Sequence, residues 1–131
     1  PPSTLAGSPQ RPPRRRRRPV RDDRDLVLDM VEMCDLLLEH AADLDLLERD
    51  PVVQAAAQRW IEVLGEAASK VSVGVTSAHP EIPWRDIIGT RVILAHAYFH
   101  IDPAVIRQVI GTDVPQLRRQ LDGVLVGFDE D

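Results

Sequence analysis

The sequence predicts an all-α fold, an antiparallel bundle of four to five helices, and three observations predict it. Apolar residues recur at i, i+3, i+4 and i+7 over long stretches. The pairs Asp50-Pro51 and Asp102-Pro103 each supply a capping carboxylate followed by the proline that suits a first helical turn. No stretch alternates apolar and polar residues as a half-buried strand does. At 131 residues the chain fits one domain, with no room for a second catalytic unit.

The first helix is expected from about Asp23 to Ala42. Val27, Met30, Val31, Cys34, Leu37, Leu38 and Ala41 form its stripe, while Asp25, Asp29, Glu32 and Glu39 fall elsewhere and read as its solvated face. The segment "DLDLLERD" interrupts the period. A second helix opens at Asp50-Pro51 and carries the cleanest stripe in the chain: Val53, Ala56, Ala57, Trp60, Ile61, Leu64, Ala68 and Val71. Gly65 sits inside it at a cost of about 1 kcal/mol relative to alanine, and close approach of a neighbouring helix is the expected compensation. The linker "SVGVTSAHPEIPW" breaks the period at Gly74, Pro80 and Pro83, with a short helical turn over Trp84–Ile88 ahead of Gly89. A third long helix then covers Thr90 to about Ile101. Asp102-Pro103 opens a segment through Ile110, and "GTDVP" restarts a last helix from Asp113 to about Val126.

Composition bounds the function. Only five residues are aromatic, so aliphatic side chains must fill the interior. The lone Cys34, among Met33, Leu36 and Leu37, reads as a small buried hydrophobe in a reducing compartment, and a cytoplasmic protein is expected. No apolar run approaches the roughly 18 residues that cross a bilayer, and the N-terminus has charge without an apolar core, so neither membrane insertion nor export is expected. Residues 1–21 are rich in Pro and Arg and lack periodicity, so they are expected to form a disordered tail before a helical domain over 22–131. Six of the 16 basic residues lie in 1–19 with no acid among them, leaving ten against all 21 acidic residues, a net charge of −11 for the rest. A body of that sign repels a phosphate backbone. Nucleic-acid chemistry would need a local cationic pocket or help from the tail.

The polar groups that invite a chemical reading lie in "RVILAHAYFH", Arg91 to His100. On a helix, Arg91 and Tyr98 are seven residues apart and align within about 20°, whereas His96 lies about 140° from Arg91. Either the long arginine wraps around the helix or the site is assembled between two copies of the chain. Spacing alone favours the plainer reading, His96 as a core or interface histidine and Arg91 as a surface or salt-bridged residue. His96 and His100, four apart, have the spacing of a two-histidine metal clip, but His79, Asp86 and Asp102 offer no recognised spacing for the further ligands zinc needs, so no metal is expected. Cys34, Ser69, Ser72 and Ser77 lack the surroundings of a nucleophile.

Three signatures in order carry a resemblance: "IEVLGEA", "HPEIPWRDIIGTR", and the R-x4-H-x-Y array of Arg91, His96 and Tyr98. With the downstream "FHIDPAVI" and "DVPQLRRQL", the chain resembles the HepT-like family of the HEPN superfamily over roughly residues 25–125. The resemblance implies an all-α, HEPN-like homodimer whose two R-x4-H motifs line a shared cleft. It implies the toxin of a type VII toxin–antitoxin pair, a metal-independent endoribonuclease acting on RNA, with Arg91 and His96 catalytic. The implied partner is an MntA-like nucleotidyltransferase antitoxin, which uses ATP to transfer AMP to Tyr98; the chain itself needs no cofactor. The array departs from the superfamily's usual pattern at two positions, with Val92 where a polar residue such as asparagine is common and Ala97 where aspartate is common. Those two positions favour a second reading, a non-catalytic module that holds a nucleotidyltransferase or a nucleotide. A third follows from the arginine tail, a nucleic-acid-binding accessory.

The residue types suit the chemistry independently of the family. RNA carries its own nucleophile in the 2'-OH, so one proton shuttle and one cation suffice. An imidazole with an unperturbed pKa of about 6.5 moves protons near neutral pH. A guanidinium fork can hold the phosphate and stabilise the charge that builds on it in the transition state. Products of this route are a 2',3'-cyclic phosphate and a 5'-OH end.

Overall fold

Asp22 starts the bundle: its carboxylate accepts from the Asp25 N–H at 2.9 Å, satisfying one of the donors left open at the start of α1 (Asp23–His40). The computed structural model describes residues 21–96 and 103–129, without the side chains at 91–96 and 103. The expected tail, Arg21 apart, lies outside the described residues. Arg21 bridges to Asp29 at 2.8 Å.

The same capping chemistry opens each following element. Asp43 accepts from Leu46 N–H to begin α2 (Leu44–Arg49), and Asp50 accepts from Val52 and Val53 N–H, with Pro51 in the first turn, to begin α3 (Pro51–Lys70). Ser72 caps α4 (Val73–Ala78) while its own N–H and hydroxyl donate to the Asp23 carboxylate at 2.9 and 2.6 Å. This ties the start of α1 to the end of α3, so the two helices run antiparallel. Next come α5 (Trp84–His96) and α6 (Pro103–Gln108), then a π turn (Val109–Asp113) that leads without a break into α7 (Val114–Asp129). Among the described residues there is no strand.

Four expectations need correcting. Where "DLDLLERD" interrupts the period, and in the "SVGVTSA" part of the linker, the chain is still helical: each holds a six-residue helix, too short to show a period but started by its own cap. The first helix ends at His40 rather than Ala42. Gly89 does not divide a short turn from a longer helix, because α5 runs through it from Trp84. "GTDVP" does not restart a helix at Asp113. The wide π turn, in which Val114 N–H reaches back to the Val109 carbonyl, loosens the ladder just before Pro115, a residue that has no N–H and would crowd the carbonyl four residues back.

The core gathers where α1 packs on α3 and α7, and α3 on α5. Val27, Met30, Cys34 and Leu37 are fully buried along α1, as is Ala41 just past its end, with Val31 and Leu38 packed at their edge. They meet Ala57, Ile61, Leu64 and Ala68 of α3 and Val114, Leu117, Leu121 and Val124 of α7. Gly65 is buried on α3, as its expected close packing requires. Deleting a side chain such as Leu37 from an interior of this kind costs about 2–5 kcal/mol. Two arginines fasten the outside. Arg118 of α7 donates to Asp35 of α1 at 2.7 Å and to Asp122 at 2.6 Å, and Arg107 of α6 pairs with Asp45 and Glu48 of α2. Among the described residues no helix is long and apolar enough to cross a membrane.

Candidate functional site

Helix α5 is positioned from its first turn. The segment "HPEIPW" folds back on itself: Ile82 N–H donates to the His79 carbonyl at 3.2 Å, and the Trp84 indole N–H donates to the same carbonyl at 3.0 Å. Ile82 and Trp84 are both buried in the core, which fixes the point where α5 begins and the direction in which it packs on α3. The motif therefore acts as an anchor. Its one titratable ring, His79, lies 3.3 Å from Glu81 and is committed to that pair.

From that anchor α5 runs through positions 91 and 96, so the backbone places Arg91 and His96 on one helix, in the part of it beyond Gly89. Tyr98 and His100 lie outside the described residues, as does Asp102. Among the described residues no group of three His, Cys, Asp or Glu side chains stands together as a metal site. The acidic face of α1 is engaged in ion pairs: Asp29 with Arg21 and Asp35 with Arg118.

Charge and burial shift few groups strongly. Burial pushes the Cys34 thiol up to about 12, so it stays protonated, consistent with its reading as a small hydrophobe rather than a nucleophile. The hydrogen bond from Arg107 holds the Glu48 carboxyl below the usual carboxylate range. The hydrogen bonds from Arg118 to Asp35 and Asp122 raise the arginine's own pKa and keep it charged.

Beside the first half of α5 the structure opens a cleft of about 270 Å³. Asp86, Ile87 and Thr90 of α5, with Pro83 just before it, form one wall, Ile61 and Leu64 of α3 lie behind, and Val109, Gln116 and Leu117 face them from the π turn and α7. Thr90, the last α5 residue on this wall, immediately precedes Arg91. Sequence reasoning missed the cleft for an identifiable reason: residues 83, 86, 87 and 90 share a face only if the helix continues through Gly89, where a break was expected.

Residues 28–124 match the family described as "Ribonuclease HepT-like". Among similar proteins, the "Probable ribonuclease HepT" of Thermococcus cleftensis is 32% identical over 105 residues, covering 78% of this chain and 94% of its own. A "Putative RNase" of Methanocaldococcus jannaschii is 28% identical over 104 residues, covering 78% of this chain and 95% of its own. No solved structure gives a significant match.

Proposed function

Because the chain belongs to the ribonuclease HepT-like family, we propose that it is a metal-independent endoribonuclease that works as the toxin of a type VII toxin–antitoxin pair. The observation that carries this reading is that the matched segment, 28–124, contains the whole R-x4-H-x-Y array, with Arg91 and His96 on the single helix α5. Family membership gives the reaction class, RNA cleavage. His96 takes the proton from the 2'-OH as it attacks the adjacent phosphorus and returns one to the departing 5' oxygen. Arg91 holds the non-bridging oxygens and offsets the charge they gain. The leaving strand carries a 5'-OH and the other a 2',3'-cyclic phosphate.

The site is a cleft shared by two copies in a homodimer. What supports this is the helical spacing, which sets positions 91 and 96 about 140° apart and makes it hard for one helix to aim both side chains at one phosphate. A nucleotidyltransferase antitoxin silences the enzyme by transferring AMP from ATP to the Tyr98 oxygen with release of pyrophosphate. The added group brings bulk and negative charge to the place the substrate phosphate must occupy.

Expression of the chain alone should arrest growth, and His96→Ala should relieve the arrest with the fold intact. Arrest that persists unchanged in His96→Ala would remove the proposed active site. Protein co-expressed with the transferase should gain mass in whole AMP units, and Tyr98→Phe should prevent the gain. Val92 and Ala97 favour a second reading, a non-catalytic module that holds a nucleotidyltransferase or nucleotide, since both positions lack a polar group to orient His96. That reading predicts binding of the transferase with no RNA cut by the purified chain.

A further inference from the structure

The cleft beside α5 is apolar inside and polar at its rim. Ile61, Leu64 and Leu117 are buried within it, whereas Asp86 of α5 and Gln116 of α7 line it from exposed positions. The other polar lining groups are engaged: Glu81 with His79, Asp113 with the Gln108 amide, Gln120 with the Glu81 carbonyl, and the Thr90 hydroxyl with the Asp86 carbonyl. Among the described residues the Asp86 carboxylate and the Gln116 amide make no hydrogen bond. They are an acceptor and a mixed donor–acceptor facing one apolar slot. Its volume of about 270 Å³ lies just under the roughly 300–1,000 Å³ of drug-sized sites, the scale of one ring system. Three carboxylates, Glu81, Asp86 and Asp113, line it with no cation among the described lining residues, so at this wall a phosphate is repelled and an uncharged ring with N–H donors on its edge is favoured.

We propose that this cleft receives one base of the RNA strand beside the phosphate that is cut, and that Asp86 and Gln116 select a base whose pairing edge sets an amino group beside an acceptor ring nitrogen, cytosine or adenine, over uracil. The inference rests on the ribonuclease reading, because Thr90 on the cleft wall adjoins Arg91, the residue assigned to the phosphate. Cytosine and adenine each present an amino donor next to a ring-nitrogen acceptor. The amino group donates to Asp86, and the ring nitrogen accepts from the Gln116 amide. Uracil reverses the pattern, setting a carbonyl against the Asp86 carboxylate and a donor beside it. A mismatched edge of this kind costs about tenfold in affinity.

The test uses the full chain with labelled Ile, Leu and Val methyls. Cytidine should shift the Leu64, Val109 and Leu117 methyls, uridine should bind about tenfold more weakly, and Asp86→Asn should erase the difference. Equal responses to the two nucleosides, or shifts that avoid the cleft, overturn the base site. A second arm sequences the ends left by cleavage of a random RNA pool. Wild type should show uridine depleted at one position flanking the cut and Asp86→Asn should not; identical profiles overturn the assignment. The arms separate the two ideas. Cleft methyls that respond while RNA stays intact would sink the ribonuclease reading and uphold the base site, and RNA cut with a silent cleft would do the reverse.

Discussion

At the scale of single residues, charge and shape are separable at Arg91. Lysine keeps the charge but loses the planar fork, so Arg91→Lys should cut RNA at a rate lowered by about two orders of magnitude or more while binding it with nearly unchanged salt dependence. Cleavage at the wild-type rate would show that a point charge suffices there. Cys34 gives a second, structural expectation with a definite sign. Its thiol pKa is raised from 9.0 to about 12 in the folded state, chiefly by burial. The folded state therefore holds its proton more tightly than the unfolded chain does. The stability this contributes is complete below about pH 9 and declines as pH rises toward 12. Native protein should resist alkylation until it unfolds, and Cys34→Ala should flatten the alkaline loss of stability. Rapid labelling of the native thiol would contradict its burial.

Among elements, caps and glycines make opposite predictions. Asp50 satisfies two open N–H groups of α3, so Asp50→Ala should destabilise the fold by about 1 kcal/mol in chemical denaturation. Gly123 is exposed inside α7, and a Cβ there would meet nothing within 4 Å. Gly123→Ala should therefore stabilise by about 0.4–1 kcal/mol through helix propensity and a less disordered unfolded chain. A stability loss would mean that a neighbour covers this face of α7. The long helices were legible because α1 and α3 each repeat their apolar stripe over several turns. The six-residue α2 and α4 were not, since a helix of under two turns shows only its cap, Asp43 or Ser72, and those residues start turns equally well. At the site, the placement of Arg91 and His96 on one helix was readable from spacing. The cleft beside the first half of α5 was not, because its wall shares one face only when the helix runs through Gly89, a residue that reads in the sequence as a break.

For the whole molecule, charge and assembly set the expectations. Beyond residue 19 the chain carries −11, so long-range attraction to RNA has to come from the local arginines and the six-arginine tail. Replacing Arg14 to Arg18 with serine should weaken RNA binding most at low salt and leave helical content unchanged. An effect equal at all salt concentrations would assign the tail a non-electrostatic role. Mixing an Arg91→Ala chain with a His96→Ala chain should restore part of the lost cleavage if the two copies complete one another's site. Two inactive variants that stay inactive when mixed, while sedimenting as one mixed dimer, would place the site within a single protomer.

The π turn at Val109–Asp113 has a consequence for how the chain tolerates length changes. An α-helix advances about 100° per residue, so an extra residue keeps everything after it in phase only where a widened turn absorbs it. The α6 side, where Arg107 reaches α2, and the α7 side, where Leu117 and Leu121 enter the core, are thereby set to different neighbours along one rod. Removing one residue from 109–113 would let the turn close as a regular helix with the buried stripe of α7 still in phase, whereas adding one would rotate that stripe by about 100° toward solvent. A one-residue insertion should therefore be far more damaging here than a one-residue deletion, an asymmetry not expected of the connection between α1 and α2, although both segments look equally loop-like as strings of letters.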